Sequence, residues 1–512
     1  MMELKPEAQE STIFLTASEA YPALERQFLE ARSHIVAGFR VFDLRTKLRS
    51  AQAKAIGATW YDLITHTLER GVSFRLILTD FDPVVRPASH RMTWRAMRRL
   101  ICAGEASGRP DLLHVTVAMH PARIGFGASV LLWPKTMREI AIETKRLNSL
   151  DTNAAKNDLS AMPLLAQHVT GAHPNFRPNF RSLPRLVPTT HHQKIAVFDG
   201  TTAYIGGLDL DERRYDTPDH DRPAEDTWRD CQIMTSGPVA QDVETHLNEM
   251  LKCTAGRKPP SPLPQLLRTL SGPKNDASFG LSPQPLVTEI EDAHLRCVAS
   301  AKSLIYFETQ FFRSRPLANA LAKAAKANPD LHLLIVLPAA PEDVAFEGSK
   351  KSDARYGEYL QAKCLDQVAQ AFGDRFLAVA PAQPKTSKRD DRGALKAAPL
   401  VYVHSKVSIF DDQTAIVSSA NLNGRSLRWD TEAGMMLTDQ KDVTALMSRC
   451  FQHWLPGHDQ PHLEKTVKLW RKRAHENAQT PPEDRHGFIL PYPIAPGRRF
   501  GRNLPGVPEE MT

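Results

Sequence analysis

His192-Gln193-Lys194-Ile195-Ala196-Val197-Phe198-Asp199 has the form H-x-K-x4-D, and the form returns 212 residues later as His404-Ser405-Lys406-Val407-Ser408-Ile409-Phe410-Asp411. Histidine and lysine two apart on a strand share one face and aim at one ligand. Composition alone yields one such match in a chain of this length about one time in twenty, so the second copy is what carries weight. An enzyme that attacks a phosphodiester through an imidazole needs one histidine as nucleophile, a second to protonate the leaving oxygen, and cations on the phosphoryl oxygens. The candidate catalytic signature is therefore His192, Lys194, Asp199, His404, Lys406 and Asp411. Within it each aspartate lies seven beyond its histidine, near a turn, and is read as fixing that turn or an ion pair.

Helices alternate with short apolar strands on the N-terminal side of the first motif. Residues 20–37 read as a helix running into a strand at 35–42, Trp60–Arg70 as a helix stopped by Gly71, and Phe74–Leu78 as a buried strand. A helix at 90–104 and a strand at 114–119 follow. Residues 120–187 break the rhythm, with one helical piece near 134–147 and a stretch rich in proline and asparagine. A long insertion with little regular structure is expected there, acting as a lid or lipid-contacting segment through Phe126, Leu131, Leu132 and Trp133.

The same rhythm repeats before the second motif, from a helix at 289–300 to a strand near 375–380. Matching Val36 with Ile305 leaves 156 residues to His192 and 99 to His404, and the excess of 57 is about the size of the insertion. Both halves thus read as copies of one fold. The expected architecture is α/β, two pseudo-symmetric α/β/α lobes with one active site in the cleft between them. The divisions are an N-terminal lobe over 1–253, a proline-rich linker over 254–285, a C-terminal lobe over 286–460, and a basic helix with an extended tail over 461–512.

Bulk properties narrow the class. The 512 residues are 42% hydrophobic and 24% charged with mean hydropathy −0.36, which fits a globular chain with a sizeable core. A net charge of +7 and pI near 9.0 favour acidic partners, although 65 basic against 58 acidic residues is a mild bias. The six cysteines lack metal-like or disulfide-scaffold spacing and read as buried thiols. Met1–Glu10 has three glutamates and no apolar core, so no cleavable signal is expected there, and no apolar run is long enough to span a bilayer. Localisation is left as cytoplasmic, peripheral membrane, or export by a route without a cleavable signal.

The loops after the motifs, Gly206-Gly207-Leu208-Asp209 and Ser418-Ser419-Ala420-Asn421, carry small residues that let backbone amides approach a phosphate, and a helix beginning near Asn423 would add its positive end. With these blocks the chain resembles the phospholipase D superfamily, and phospholipase D proper more than the nuclease branch. The resemblance rests on His191–Leu210 through Asp216-Thr217-Pro218-Asp219-His220 and on Trp228-Arg229-Asp230 with Ser236-Gly237-Pro238. It rests equally on Ile305–Phe312 and on Val401-Tyr402-Val403-His404 through Ser426, and it spans roughly residues 20–455.

That resemblance implies a mechanism. His192 would form a phosphohistidine, His404 would protonate the departing alcohol and then activate water, and Lys194, Lys406, Asn421 and Ser419 would hold phosphate oxygens, with Asp209 in the matching loop position. Asp230 would orient His404, and Glu432 would orient His192. No metal or other cofactor is implied. The implied partners are a phospholipid substrate and a membrane surface met peripherally, with no nucleic acid, and a monomer is expected because both half-sites lie in one chain. Cardiolipin-synthase-like transfer and nuclease activity are the alternatives. Ser418-Ser419 in place of G-S, and Arg229 in place of the middle histidine of W-H-D, depart from the family pattern. Arg91, Arg95, Arg98 and Arg99 around Trp94, and the basic helix near Trp470, are candidate membrane-facing surfaces.

Overall fold

The motif strand Lys194–Phe198 is apolar at every position after its lysine because both its faces are covered. Ile195 and Val197 enter a central core, whereas Ala196 and Phe198 enter an outer one. The computed structural model describes residues 11–274, 278–281, 283–457 and 462–512. Met1–Glu10, where no signal core is expected, and 458–461, at the expected end of the second lobe, lie outside the described residues.

Lys194–Phe198 sits in the middle of a seven-stranded sheet. On one side it pairs with Thr202–Gly206, then Gln232–Ser236, then Ser11–Phe14; on the other with His34–Phe39, Ser73–Thr79 and Leu113–Ala118. The second sheet repeats that order around Val407–Phe410. Thr414–Ser418, Glu432–Leu437, Leu267–Gly272 and Gln284–Thr288 lie to one side, and Leu304–Glu308, His332–Val336, Phe376–Pro381 and Ile489–Pro491 to the other. In both sheets the first strand of the parallel trio runs antiparallel to the motif strand. Ile35 lies opposite Phe198, and Ile305 opposite Phe410, so the true internal match is Ile35 with Ile305, one residue from the Val36 pairing expected above.

Three helices, Ala17–Glu30, Trp60–Glu69 and Pro87–Ala106, pack on the outer face of the first sheet. Glu289–Ser300, Arg315–Ala327 and Ser352–Phe372 do the same for the second. Between the sheets, Pro238–Thr254 and Gln440–Trp454 fill a single shared core. The two α/β/α lobes therefore share their middle layer, giving α/β/α/β/α, and the cleft opens where the motif strands of both sheets begin.

Four expectations change. The span 254–285 is not wholly a linker. Leu267–Gly272 is a buried strand of the second sheet, held by Glu432–Leu437, and its prolines confine themselves to the flanks. The 120–187 insertion is largely helical, with Phe126–Asn148, Thr152–Ser160 and Pro163–Ala166 packed around Met137, Ile140 and Leu147. The arginines near Trp94 form a seam with that insertion. Arg91 and Arg95 reach Asp158, Arg91 also meets Glu143 at 3.2 Å, and Arg98 donates to the Ser160 carbonyl, so this face is not free for a membrane. The basic helix Leu463–Gln479 buries Val467, Trp470 and Ala474 in the shared core, and the tail after it supplies the edge strand Ile489–Pro491 and the helix Ile494–Phe500. Among the described residues, no helix is long and apolar enough to cross a membrane.

Candidate active site

Each motif histidine is carried by one lobe and braced by the other. The amides of His192 and Gln193 both donate to the Thr431 carbonyl, at 2.8 and 2.9 Å. Those of His404 and Ser405 both donate to the Arg229 carbonyl, again at 2.8 and 2.9 Å. The carboxylates that follow those carbonyls complete the crossing. Glu432 lies 3.0 Å from Nδ1 of His192, and Asp230 lies 2.6 Å from Nδ1 of His404. With Nδ1–H bonded to a carboxylate, the imidazole presents its Nε2 lone pair to the cleft.

Lys194 and Lys406 are buried beside the histidines, and each ammonium donates to the carbonyl of its own motif histidine. Burial lowers both imidazoles well below the usual histidine range. Lys194, Arg40 and Lys406 add to the effect at His192, and Lys406, Lys194 and Arg214 add to it at His404. Burial also takes Lys406 down to about 7, with Asp230 opposing and Lys194 reinforcing the shift. Asp230 is pushed up to about 6 and Glu432 to about 8 by burial, against the pull of Lys406 and Lys194 respectively. The cleft is thus a buried cluster that sets neutral imidazoles beside two lysines, arranged to gain from an arriving phosphate.

The remaining candidates divide. Asp199 accepts from the amides of Arg32, Ser33 and His34, and Asp411 from those of Lys302, Ser303 and Leu304. Both sit at positive φ in the turn beyond the strand, about 23 Å of extended chain from their histidines, so neither belongs to the catalytic set. Ser419 does not face a phosphate. Its hydroxyl donates to Glu432 and accepts from the Ala433 amide at 3.1 Å, which makes it a brace for the carboxylate. At the equivalent place in the first lobe stands Gly207, where a Cβ would come within 2.2 Å of Asp230.

Asp209 is corrected as a phosphate ligand. A carboxylate offers only acceptors, and this one takes the Val41 amide at 2.9 Å and faces Arg40 at 4.0 Å. Asn421 remains in the cleft, donating to Gln310 at 3.2 Å. The helix start near Asn423 is capped by the Asn423 side chain on Ser426 and crowded by Glu509 and Glu510, so it does not present free amides.

The sequence reading missed Arg40, Arg214 and Glu308. Arg40 and Arg214 crowd the histidines electrostatically. Glu308 is a buried hub that pairs with Arg229 at 3.1 Å and accepts from Ser405 at 2.7 Å, Tyr306 at 2.8 Å and Trp454 at 2.9 Å. Arg229, the departure in W-R-D, thereby has its charge answered by Glu308 where the chain turns toward His404.

A family description, "Cardiolipin synthase, PLD-like domain", matches residues 295–455. Phospholipase D2 of Bos taurus is 23% identical over 436 aligned residues, covering 60% of this chain and 46% of that protein. Phospholipase D alpha 3 of Arabidopsis thaliana is 25% identical over 451 aligned residues, covering 60% and 55%. The chain spans about half the length of these curated relatives. In fold it is similar to a phosphatidylserine synthase from Haemophilus influenzae Rd KW20, with TM-score 0.50 and 13% identity over 91% of this chain and 93% of that one. With its duplicated sheets and paired H-x-K motifs, the chain is similar in sequence and fold to proteins of the phospholipase D superfamily.

Proposed function

We propose that this chain is a phosphodiesterase that hydrolyses a phospholipid such as phosphatidylcholine to phosphatidic acid and an alcohol. His192 attacks phosphorus through Nε2, its Nδ1 proton held on Glu432, and the P–O bond to the alcohol breaks as His404 delivers a proton to that oxygen. Water, deprotonated by His404, then cleaves the P–N bond of the phosphohistidine and regenerates His192. Lys194, Lys406 and Asn421 hold the non-bridging oxygens, with the lysine ammoniums turning from their histidine carbonyls to the phosphoryl group. The observation that carries the reading is the crossed pair of His–carboxylate dyads, His192–Glu432 and His404–Asp230, around two buried lysines.

The chemistry leaves one branch open by design. An alcohol that reaches the phosphohistidine before water yields a new phosphodiester, so transphosphatidylation accompanies hydrolysis. The match of residues 295–455 to a cardiolipin-synthase description favours this second reading, transfer to a lipid alcohol.

Contact with a lipid surface is part of the proposal. Phe126, Leu131, Phe180 and Phe279 are 64%, 76%, 65% and 73% exposed and gather on the insertion and the segment beside it. Phe279 packs against Gly127, and Phe180 lies 6.1 Å from Trp133. The insertion springs from His120, whose ring packs 5.1 Å from His191, the neighbour of His192. Arg177, Arg181 and Lys135 are exposed on the same segments and suit anionic headgroups.

The test is to incubate the protein with labelled phosphatidylcholine, with the lipid precursors of cardiolipin and with single-stranded DNA, and to identify products. Phosphatidic acid or an exchanged headgroup is expected, and product from DNA alone overturns the reading. Full activity in His192→Ala or His404→Ala would sink the mechanism.

A further inference from the structure

The two half-sites obey one internal symmetry, and they break it at one pair of residues. With Ile35 matched to Ile305 and His192 to His404, Arg40 occupies the place of Gln310, and Asp209 the place of Asn421. In the C-terminal half this pair is neutral and hydrogen-bonded, although Oδ1 of Asn421 has no partner among the described residues. Asn421 donates to Gln310 at 3.2 Å, and Gln310 donates to the Tyr402 hydroxyl at 2.9 Å. In the N-terminal half it is charged and slack. Arg40 stands 4.0 Å from Asp209, beyond hydrogen-bond reach, and its side chain makes no hydrogen bond among the described residues.

A second guanidinium is also short of partners, and it lies deeper than Arg40, whose side chain is 29% exposed. Arg214 has a side chain only 10% exposed, and its Nε and Nη1 are buried without a hydrogen-bond partner. Its nearest carboxylate, Glu342, is 3.7 Å away and is shared with Arg213. The guanidinium lies 3.5 Å over the Trp228 ring, and that ring lies 4.4 Å from the ring of His404. A buried donor left unmatched is unfavourable, and a planar guanidinium with free donors matches a carboxylate or phosphate in two-point contact.

We propose that Arg40 and Arg214 form a second anion subsite beside the catalytic cluster, which receives a carboxylate or phosphate carried on the alcohol side of the scissile phosphodiester. The assignment to the alcohol side rests on the reading of His404 as the acid that serves the departing oxygen, because Arg214 reaches the site across Trp228 on the His404 side. Charge supports a second anion. The scissile phosphodiester brings one negative charge, which Lys194 and Lys406 answer, while Arg40 and Arg214 are met only loosely, by Asp209 at 4.0 Å and Glu342 at 3.7 Å. Both arginines also oppose protonation of the neighbouring histidines, so an anion bound between them would ease proton uptake by His404. The substrate class then narrows from phosphatidylcholine, whose headgroup is cationic, to a phospholipid whose headgroup bears its own anion, or it includes phosphatidylcholine only with an acceptor alcohol that bears one.

Binding of free headgroup phosphates tests this without turnover. O-phosphoserine and O-phosphoethanolamine differ by one carboxylate, and glycerol 1,3-bisphosphate offers a second phosphate in its place. Calorimetric titration of the full chain is expected to give about tenfold or tighter binding of phosphoserine, of the bisphosphate, or of both, relative to phosphoethanolamine. That ratio should collapse toward one in the double variant Arg40→Gln/Asp209→Asn, which copies the neutral pair of the other half and is expected to fold, and also in Arg214→Gln. Equal affinities in the unaltered protein, or a preference that survives in the folded double variant, overturn the subsite. A preference for the second anion without turnover of any lipid would leave the subsite standing and remove the proposed function instead.

Discussion

Glu432 of the C-terminal lobe stands 3.0 Å from Nδ1 of His192 in the N-terminal lobe, and no described residue of the N-terminal lobe takes that place. The carboxylate fixes the tautomer and stabilises the imidazolium that forms. Glu432→Gln and Asp230→Asn are therefore expected to lower kcat about 10²–10⁴-fold with KM changed far less. Steady-state kinetics with circular dichroism as a folding control would check this, and a loss below about threefold in both variants would refute the orienting role.

The pH dependence has a sign set by Lys406. Its ammonium is taken down to about 7 by burial, so the free enzyme loses this cation as pH rises through that value. kcat/KM should fall above about pH 7, while the limb in kcat lies higher because bound phosphate restores the proton. In Lys406→Arg the alkaline limb near 7 should vanish, whatever the absolute rate, because a guanidinium does not titrate there.

The same lysine is expected to weaken the fold. Its pKa is lowered in the folded state, so between about 7 and 10.5 the unfolded chain holds a proton that the folded chain has released, and stability rises with pH across that window. Lys406→Met should be inactive yet melt about 1–3 °C higher at pH 7, as seen by calorimetry. An unchanged or lower Tm in a normally folded variant would contradict the assigned burial cost.

Glu308 is predicted to be structural. Glu308→Gln leaves the Arg229 guanidinium buried without its counter-ion, which costs about 3–5 kcal/mol. Urea unfolding should register that loss, and a change under about 1 kcal/mol would mean that Arg229 finds its compensation in the Leu15 and Asp230 carbonyls.

The exposed aromatics give a prediction about surfaces. Phe126→Ser/Leu131→Ser/Phe279→Ser should bind anionic vesicles at least about tenfold more weakly while turning over a short-chain monomeric lipid as before. Sedimentation with vesicles checks the first part, and equal loss on both substrates would show damage to the site instead.

How much of this was legible in the sequence varies with the range of the contact. Motif spacing carried His192, Lys194, His404 and Lys406, because strand periodicity fixes which residues share a face. The repeat of helix and strand carried the two lobes. Leu267–Gly272 was hidden because flanking prolines and Gly272-Pro273 read as a breaker, whereas the strand gains its stability from Glu432–Leu437, far along the chain. Arg91 and Arg95 looked like a solvated face because their acidic partners, Glu143 and Asp158, arrive from the insertion. Arg40 was missed because nothing local marks it: it lies one residue past the strand His34–Phe39, and the groups it meets, His192 and Asp209, are far along the chain. Ser419 and Asp209 sat in the right loops, but which atoms they face is a tertiary fact.

The crossed bracing also sets a clock. On a ribosome His192 emerges 240 residues before Glu432, which at roughly 5–20 residues per second is an interval of about 10–50 s. Throughout it the nascent chain holds a histidine without its carboxylate and without the Thr431 carbonyl that positions its backbone. Until Glu432 arrives the His192 half-site stays incomplete, and translation itself acts as the safety catch.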